Sequence, residues 1–268
     1  MALTTNGWLL EKLAPQLRAA GLDRINVSVD SLDDATAGRM NGLGFKVGRV
    51  LRGIDAAAAL GLPIKINTVI KRGVNDHEIP ALCDYFRARG HALRFIEFMD
   101  VGQTNQWRMD QVLPSSEVLA RLLAAYPLAP LSATTPGETA TRWAYADGQG
   151  EIGFISSVTQ AFCGDCSRLR LSTDGRLFTC LFATGGHDLR ALLRQGHTDE
   201  EITAAVSHLW AKRDDRYSEL RSINTEGLSR KDRKVEMSYI GGYTTSKRRC
   251  SVPSLPTRSA RSPTKWRR

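Results

Sequence analysis

Cys163 and Cys166 stand in the tetrapeptide Cys-Gly-Asp-Cys, and Cys180 follows with thirteen residues between. A two-residue spacer lets both sulfurs of such a pair point at one metal centre. Three thiolates suit a Cys₃His zinc site, with His187 as fourth ligand, or an iron–sulfur cluster. A [4Fe–4S] cluster held by three cysteines leaves one iron open, and that iron can take a substrate as a Lewis acid. On the residues alone, zinc and iron–sulfur stand even, and three buried thiols are the plainer alternative. Arg168 and Arg170 follow Cys166 closely. On a strand they would face one side, where two guanidiniums suit a polyphosphate through bidentate contacts; a surface ion-paired couple is the plainer alternative.

The elements that must position these groups alternate over the first hundred residues. Leu3-Thr4-Thr5 reads as a strand end, followed by a helix over 8–20 with Leu9, Leu10, Leu13 and Leu17 on one face and Gly21 closing it. Residues 24–29 form a strand. Val47, Leu51, Ile54 and Ala58 mark a helix ending near Gly61. Residues 64–70 form a third strand. Asp76 caps a helix with Ile79, Leu82 and Phe86 inward, and 93–99 is a fourth strand. Such alternation implies parallel strands with crossover helices, as a twisted sheet or a partial TIM-like barrel. In such folds the site lies at the C-terminal strand ends, here Thr4, Ser28, Lys65 and Glu97, with Met99 beside them. Beyond residue 110 the pattern changes. A helix is expected over 115–126, short strands over 141–146 and 151–156, and a hairpin across Thr173-Asp174-Gly175. A short helix over 188–194 and a capping box at Thr198–Glu201, opening a helix through Trp210, come next.

Composition excludes several classes. No run of eighteen apolar residues exists, so a membrane-spanning helix is not expected, and the start is not a signal peptide; a soluble cytoplasmic protein is the expectation. The net charge is +9, yet residues 243–268 hold eight Lys or Arg and no acid, so the body is near neutral. That Ser/Pro/Thr-rich tail reads as disordered, and nucleic acid is not expected as a partner. Cys83 reads as a core thiol, and Trp266 as exposed. His77, His91, His197 and His208 show no ligand spacing and read as surface or cap residues.

Longer segments carry a resemblance. They are Leu3–Gly7, Ile25–Asp30, Arg94–Gly102, Phe162–Leu171, Cys180–Thr184, Arg213–Ser218 and Met237–Gly242. Together they resemble the molybdenum-cofactor biosynthesis protein A family, the GTP 3′,8-cyclases of the radical S-adenosylmethionine (SAM) superfamily. The resemblance implies an incomplete TIM-like (β/α) barrel of the radical SAM type with a C-terminal α+β iron–sulfur subdomain. It divides the chain into a partial barrel over 1–105, a substrate-cluster domain over 106–242, and the basic tail over 243–268. Enzymes of the family use two [4Fe–4S] clusters. The first, held by a CxxxCxxC motif, cleaves SAM to a 5′-deoxyadenosyl radical, which abstracts hydrogen from C3′ of GTP before the ribose carbon attacks C8. The second holds the guanine. The resemblance implies that Cys163, Cys166 and Cys180 hold this second cluster, that Thr4, Lys65, Arg168, Leu169 and Arg170 contact GTP, and that Ser28 and Met99 contact SAM. It leaves the catalytic residues unassigned. Implied partners are GTP, SAM, a reductant and the next enzyme of cyclic pyranopterin formation, and a homodimer is allowed. The sequence departs from the family twice. It holds no CxxxCxxC, and Gly241-Gly242, which ends family members as a tail entering the site, is followed here by the basic extension. The expectations are one cluster, a truncated or frameshifted reading frame, and no turnover by this chain alone.

Overall fold

The computed structural model describes residues 1–42, 44, 46–101, 106–220, 234–237 and 239–240. The chain opens with β1 (Ala2–Thr5), α1 (Leu10–Ala19), β2 (Arg24–Ser28), α2 (Asp34–Asn41), α3 (Val47–Ala59), β3 (Ile64–Ile70), α4 (Ile79–Arg87) and β4 (Ala92–Glu97). It continues with α5 (Ser115–Leu123), β5 (Leu128–Leu131), β6 (Thr141–Tyr145), β7 (Glu151–Ile155), β8 (Arg170–Leu171), β9 (Arg176–Phe178) and β10 (His187–Asp188). Helices α6 (Leu189–Arg194), α7 (Asp199–Ala211) and α8 (Tyr217–Leu220) follow.

Seven strands form one sheet in the order β1-β2-β3-β4-β7-β6-β5. The first five neighbours run parallel, and β6 and β5 close the far side antiparallel. The sheet therefore runs on past residue 105, because β7 pairs beside β4. This is the parallel α/β architecture of a partial TIM-like barrel.

Alternation in each strand decides which face is which. In β3, Ile64, Ile66, Thr68 and Ile70 are buried, while Lys65, Asn67 and Val69 point the other way and are half-buried. The buried set joins Ile25, Val27, Phe95, Ile152 and Phe154 in a core covered by Leu10, Ile54, Leu82 and Phe86 of the helices. Gly53 lets α3 approach α1, since a Cβ there would lie 3.0 Å from Leu10 Cβ and from the Glu11 nitrogen. The opposite face of the sheet carries polar side chains, Lys65, Asn67 and Arg94 among them, beside Val69 and Ile96.

Several local expectations change. Leu9 is half exposed, and α1 buries Leu10 and Ala14 instead. Asp76 does not cap α4; it accepts from the Gly73 N–H at 2.8 Å within a short 3₁₀ turn. The sequence reading omitted α2, whose N-terminus Asp33 caps by accepting from Thr36 N–H. His91 is buried, and desolvation lowers its pKa. Glu97 is not an open strand-end group. Its carboxylate accepts from the N–H groups of Ser115, Val158 and Thr159 at 2.8–2.9 Å and from the Thr159 hydroxyl at 2.6 Å. It pins the start of α5 and the loop after β7 to the end of β4. Among the described residues no helix is long and apolar enough to cross a membrane.

Candidate cluster and nucleotide site

The Cys163–Cys166 turn closes on itself through the Cys166 N–H and the Cys163 carbonyl, 3.3 Å apart. Arg213, just beyond α7, donates to the carbonyls of Cys163, at 3.0 Å, and Cys166. Asp215 holds that guanidinium from its other side at 3.4 Å. On the opposite flank Gly137, at φ +73°, packs against the Asp165 carbonyl, which a Cβ would approach to 2.7 Å. Only glycine suits both the left-handed backbone and that contact. Cys180 follows β9, where the hairpin of β8 and β9 returns the chain, and its sulfur accepts from the Phe182 N–H at 3.4 Å.

The electrostatics join these sulfurs to two cations. Burial would raise the Cys166 thiol, but the Arg168 N–H and guanidinium outweigh it and bring its pKa below the ordinary value. The Cys180 thiol is raised, first by burial, then by Asp215 and Cys163. Arg170 is lowered by burial and by Arg168, while Cys166 and Cys180 offset part of that. Arg170 therefore lies within electrostatic reach of both sulfurs and of Arg168. Arg168 precedes β8, so the expected strand pairing of the two arginines is not formed, though they still converge. Leu169 between them is exposed.

The donor set discriminates between metal centres. Cys83, Cys163, Cys166 and Cys180 are all free thiols. Among the described residues no three His, Cys, Asp or Glu side chains surround a point that would hold one metal ion. His187, the fourth ligand expected for a Cys₃His zinc site, is exposed on β10. An iron–sulfur cluster binds each thiolate through a different iron, so its ligands stand wider apart. Three free cysteines with a stabilised thiolate and two adjacent cations fit such a cluster.

The polar sheet face supplies the second half of the site. Register aligns Thr4, Asn26 and Lys65 across β1, β2 and β3, and Asn67, Arg94 and Gly153 across β3, β4 and β7. Asn26 donates to the Thr4 hydroxyl at 3.1 Å and accepts from Arg94 at 2.7 Å. A Cβ on Gly153 would come within 2.9 Å of Arg94 Cγ, so glycine leaves that arginine room. Arg94 Nε and Asn67 Oδ1 are buried without a hydrogen-bond partner among the described residues. Lys65 lies 3.8 Å from Glu151, which Arg142 also meets at 2.9 Å. Glu138 links this face to the cysteine turn: its neighbour Gly137 touches Asp165. Its own carboxyl is held low by the Thr134 N–H and then by Arg142 and Lys65. Ser28, at the C-terminal end of β2, lines a cleft of about 60 Å³ with Asn6, Asp30 and Val47. Met99 follows β4 by two residues.

Known families match along the whole of this arrangement. The Radical SAM superfamily model matches residues 1–86, and the Molybdenum Cofactor Synthesis C model matches 91–219. The GTP 3′,8-cyclase of Acidothermus cellulolyticus is 48% identical over 265 residues, covering 90% of this chain and 73% of that protein. That of Xanthomonas campestris pv. campestris strain B100 is 49% identical over 243 residues, with 90% and 70% covered. The Synechococcus sp. WH7803 cyclase is 46% identical over 255 residues, with 90% and 71% covered. This chain belongs to the GTP 3′,8-cyclase family.

For a GTP 3′,8-cyclase family member, sequence spacing singled out the three cysteines, Arg168 and Arg170, and the structure sets the Arg168 guanidinium 3.0 Å and 3.3 Å from Cys166 Sγ. It sets Thr4 and Lys65 on one sheet face, with Lys65 at the start of β3 and not at the C-terminal strand end expected for it, and Ser28 and Met99 at strand ends. Arg94 and Arg213 were missed. Strand alternation, which puts Arg94 on the same face as its register partner Asn67, was the signal for Arg94, whereas Arg213 sits in an Arg-Asp-Asp-Arg run that reads as a solvated helix end. Gly241-Gly242, the tail over 243–268, Cys250 and Trp266 lie outside the described residues.

Proposed function

We propose that Cys163, Cys166 and Cys180 hold the substrate [4Fe–4S] cluster of a GTP 3′,8-cyclase, with GTP lodged between that cluster and the polar face of the sheet. The chain is an enzyme of this family, in which GTP becomes 3′,8-cyclo-7,8-dihydroguanosine 5′-triphosphate through SAM radical chemistry. The observation that carries the reading is the nearness of the free thiols of Cys166 and Cys180 to Arg168 and Arg170 around one hairpin. When bound, the cluster would supply an open, Lewis-acidic iron for guanine.

The chain's own residues bind and orient. Arg168 and Arg170 offer forked donors to the phosphates from beside the hairpin, and the exposed Leu169 between them contacts the nucleotide. Lys65 and the unpaired Nε of Arg94 add charge from the sheet, and Thr4 offers a hydroxyl there. Ser28 and Met99 contact SAM at the strand ends, where sites of such barrels gather. In this division residues 1–105 carry the SAM contacts and the sheet's contacts to the nucleotide, and 106–242 carry the substrate cluster and the remaining GTP contacts. A reductant, the next enzyme of pyranopterin formation and a second copy of the chain complete its partners, in the cytoplasm. The sequence holds one cysteine set for a cluster and no CxxxCxxC, so a single cluster is assigned to these residues.

Anaerobic reconstitution tests this. About four irons per chain with iron–sulfur absorption are expected, along with GTP binding that the triple variant Cys163→Ala, Cys166→Ala, Cys180→Ala abolishes. A chain that takes up no iron, or a triple variant that binds GTP as well as the parent, defeats the proposal.

A further inference from the structure

Asp100 follows Met99 beyond the end of β4, and its side chain is 13% exposed. Lys234 Nζ lies 2.6 Å from Asp100 Oδ2 and donates to the Asp100 carbonyl at 3.1 Å. Tyr217, at the start of α8, donates its hydroxyl to the same carboxylate oxygen and is itself reached by Lys234. The Tyr217 ring stacks on Phe182, with centroids 4.5 Å apart and planes 23° apart. The ammonium of Lys234 sits 4.4 Å from the Tyr217 centroid and 5.8 Å from that of Phe182. Phe182 N–H then donates to Cys180 Sγ, and Val235 N–H donates to the Ala183 carbonyl at 3.0 Å. One carboxylate, one ammonium and two rings thus join the end of β4 to the turn that carries Cys180.

Most ion pairs at a protein surface hold little in place. This one is different in kind, because Lys234 is only 18% exposed, two donors converge on one carboxylate oxygen, and stacked rings form its floor. The contacts named here reach the cysteine set at Cys180, whereas the nucleotide contacts assigned above from that part of the chain are those of Arg168 and Arg170.

We propose that Asp100, Lys234, Tyr217 and Phe182 form a clasp that fixes the span between the sheet face and the cysteine hairpin. These are positioning residues. The inference rests on the reading of Cys163, Cys166 and Cys180 as ligands of the substrate cluster. A nucleotide held at its base by the hairpin and at its phosphates partly by the sheet is a two-point ligand. Its affinity depends on the distance between the two points being set in advance. Opening the clasp removes that constraint and leaves each point intact.

Lys234→Met keeps the stem over the rings and removes the ammonium. Parent and variant are reconstituted anaerobically and compared by iron per chain and by equilibrium dialysis with GTP and with guanosine, which offers the base without phosphates. Iron content and guanosine affinity are expected to stay at parent values while GTP affinity falls about tenfold, in the range of a coupling transmitted between sites. Lys234→Arg, which keeps the cation, is expected to retain most of the GTP affinity. Equal GTP affinity in parent and Lys234→Met overturns the clasp. Parallel loss of iron, guanosine and GTP binding overturns it too, because Lys234 would then support only the fold. If Lys234→Met does not fold, Asp100→Asn gives the same comparison with the same outcomes. A parent chain that takes up no iron removes the cluster reading first and the clasp with it, so the two failures are told apart by the parent alone.

Discussion

The guanidinium of Arg168 lies 3.0 Å and 3.3 Å from the sulfur of Cys166 through two of its nitrogens. A cation at that distance stabilises the thiolate, which is the form that ligates metal and attacks electrophiles. In reduced, metal-free protein, Arg168→Met is therefore expected to raise the Cys166 thiol and slow its alkylation near neutral pH. Peptide-resolved mass spectrometry after timed iodoacetamide labelling reads this directly, with Cys163 as the internal reference. A Cys166 rate that does not fall relative to Cys163 would show that the pairing has no electrostatic consequence.

Arg213 acts on the same turn from the main-chain side. Removing it takes a charged donor from both the Cys163 and Cys166 carbonyls, of which Cys163 keeps the Cys166 N–H. Hydrogen bonds from charged groups contribute roughly 1.5–3 kcal/mol each, and two sharing one side chain do not add fully. Arg213→Met is expected to lower unfolding free energy by about 2–3 kcal/mol and to reduce iron per chain. Urea unfolding under anaerobic conditions, paired with iron analysis, checks both. Unchanged stability with full loading would leave Arg213 without a structural role in the turn.

The contrast between Cys180 and Arg213 shows where sequence is legible and where it stops. Cysteine spacing constrains ligand geometry directly, so Cys163, Cys166 and Cys180 could be read as one centre. The alternation of β3 fixed its register and faces, since period two decides burial. Helix α2 carries almost no apolar stripe; only Asp33 marked it, and a cap without a hydrophobic face reads as a loop. The partners of Asp100 were out of reach for another reason. Lys234 lies 134 positions away, and no local pattern distinguishes an arginine or lysine with a distant partner from one in solvent.

Glu97 was expected as an open strand-end group and instead anchors three segments. With four hydrogen bonds to its carboxylate, replacing it leaves buried donors facing nothing. Glu97→Ala is expected to cost about 3–5 kcal/mol, the scale for removing one partner from a buried charged network. Glu97→Gln is expected to remain destabilised, because its amide NH₂ meets donors on one side. Guanidinium denaturation of the metal-free variants measures both. A loss under about 1 kcal/mol in Glu97→Ala would show that solvent replaces the carboxylate there.

Asp30 gives a pH dependence of opposite sign to the usual carboxylate. It sits half-buried just beyond the end of β2, accepts from the Val69 N–H at 2.9 Å, and desolvation raises its pKa from 3.8 to about 6. The folded state thus binds its proton more tightly than the unfolded state. Between those two values the folded chain carries more protons, so this residue's contribution to stability falls as pH rises. It is favourable below pH 4, is lost through pH 6, and stays lost above. A two-unit difference corresponds to roughly 3 kcal/mol at most. Asp30→Asn keeps an oxygen that can accept from Val69 and carries no charge. Relative to the parent it is expected to gain stability at pH 7.5 by up to about 3 kcal/mol, and to show little gain at pH 4. Urea unfolding of metal-free parent and variant at the two pH values separates these cases. A gain that is equal at both, or larger at pH 4, would mean that the charged form of Asp30 is not penalised by its burial.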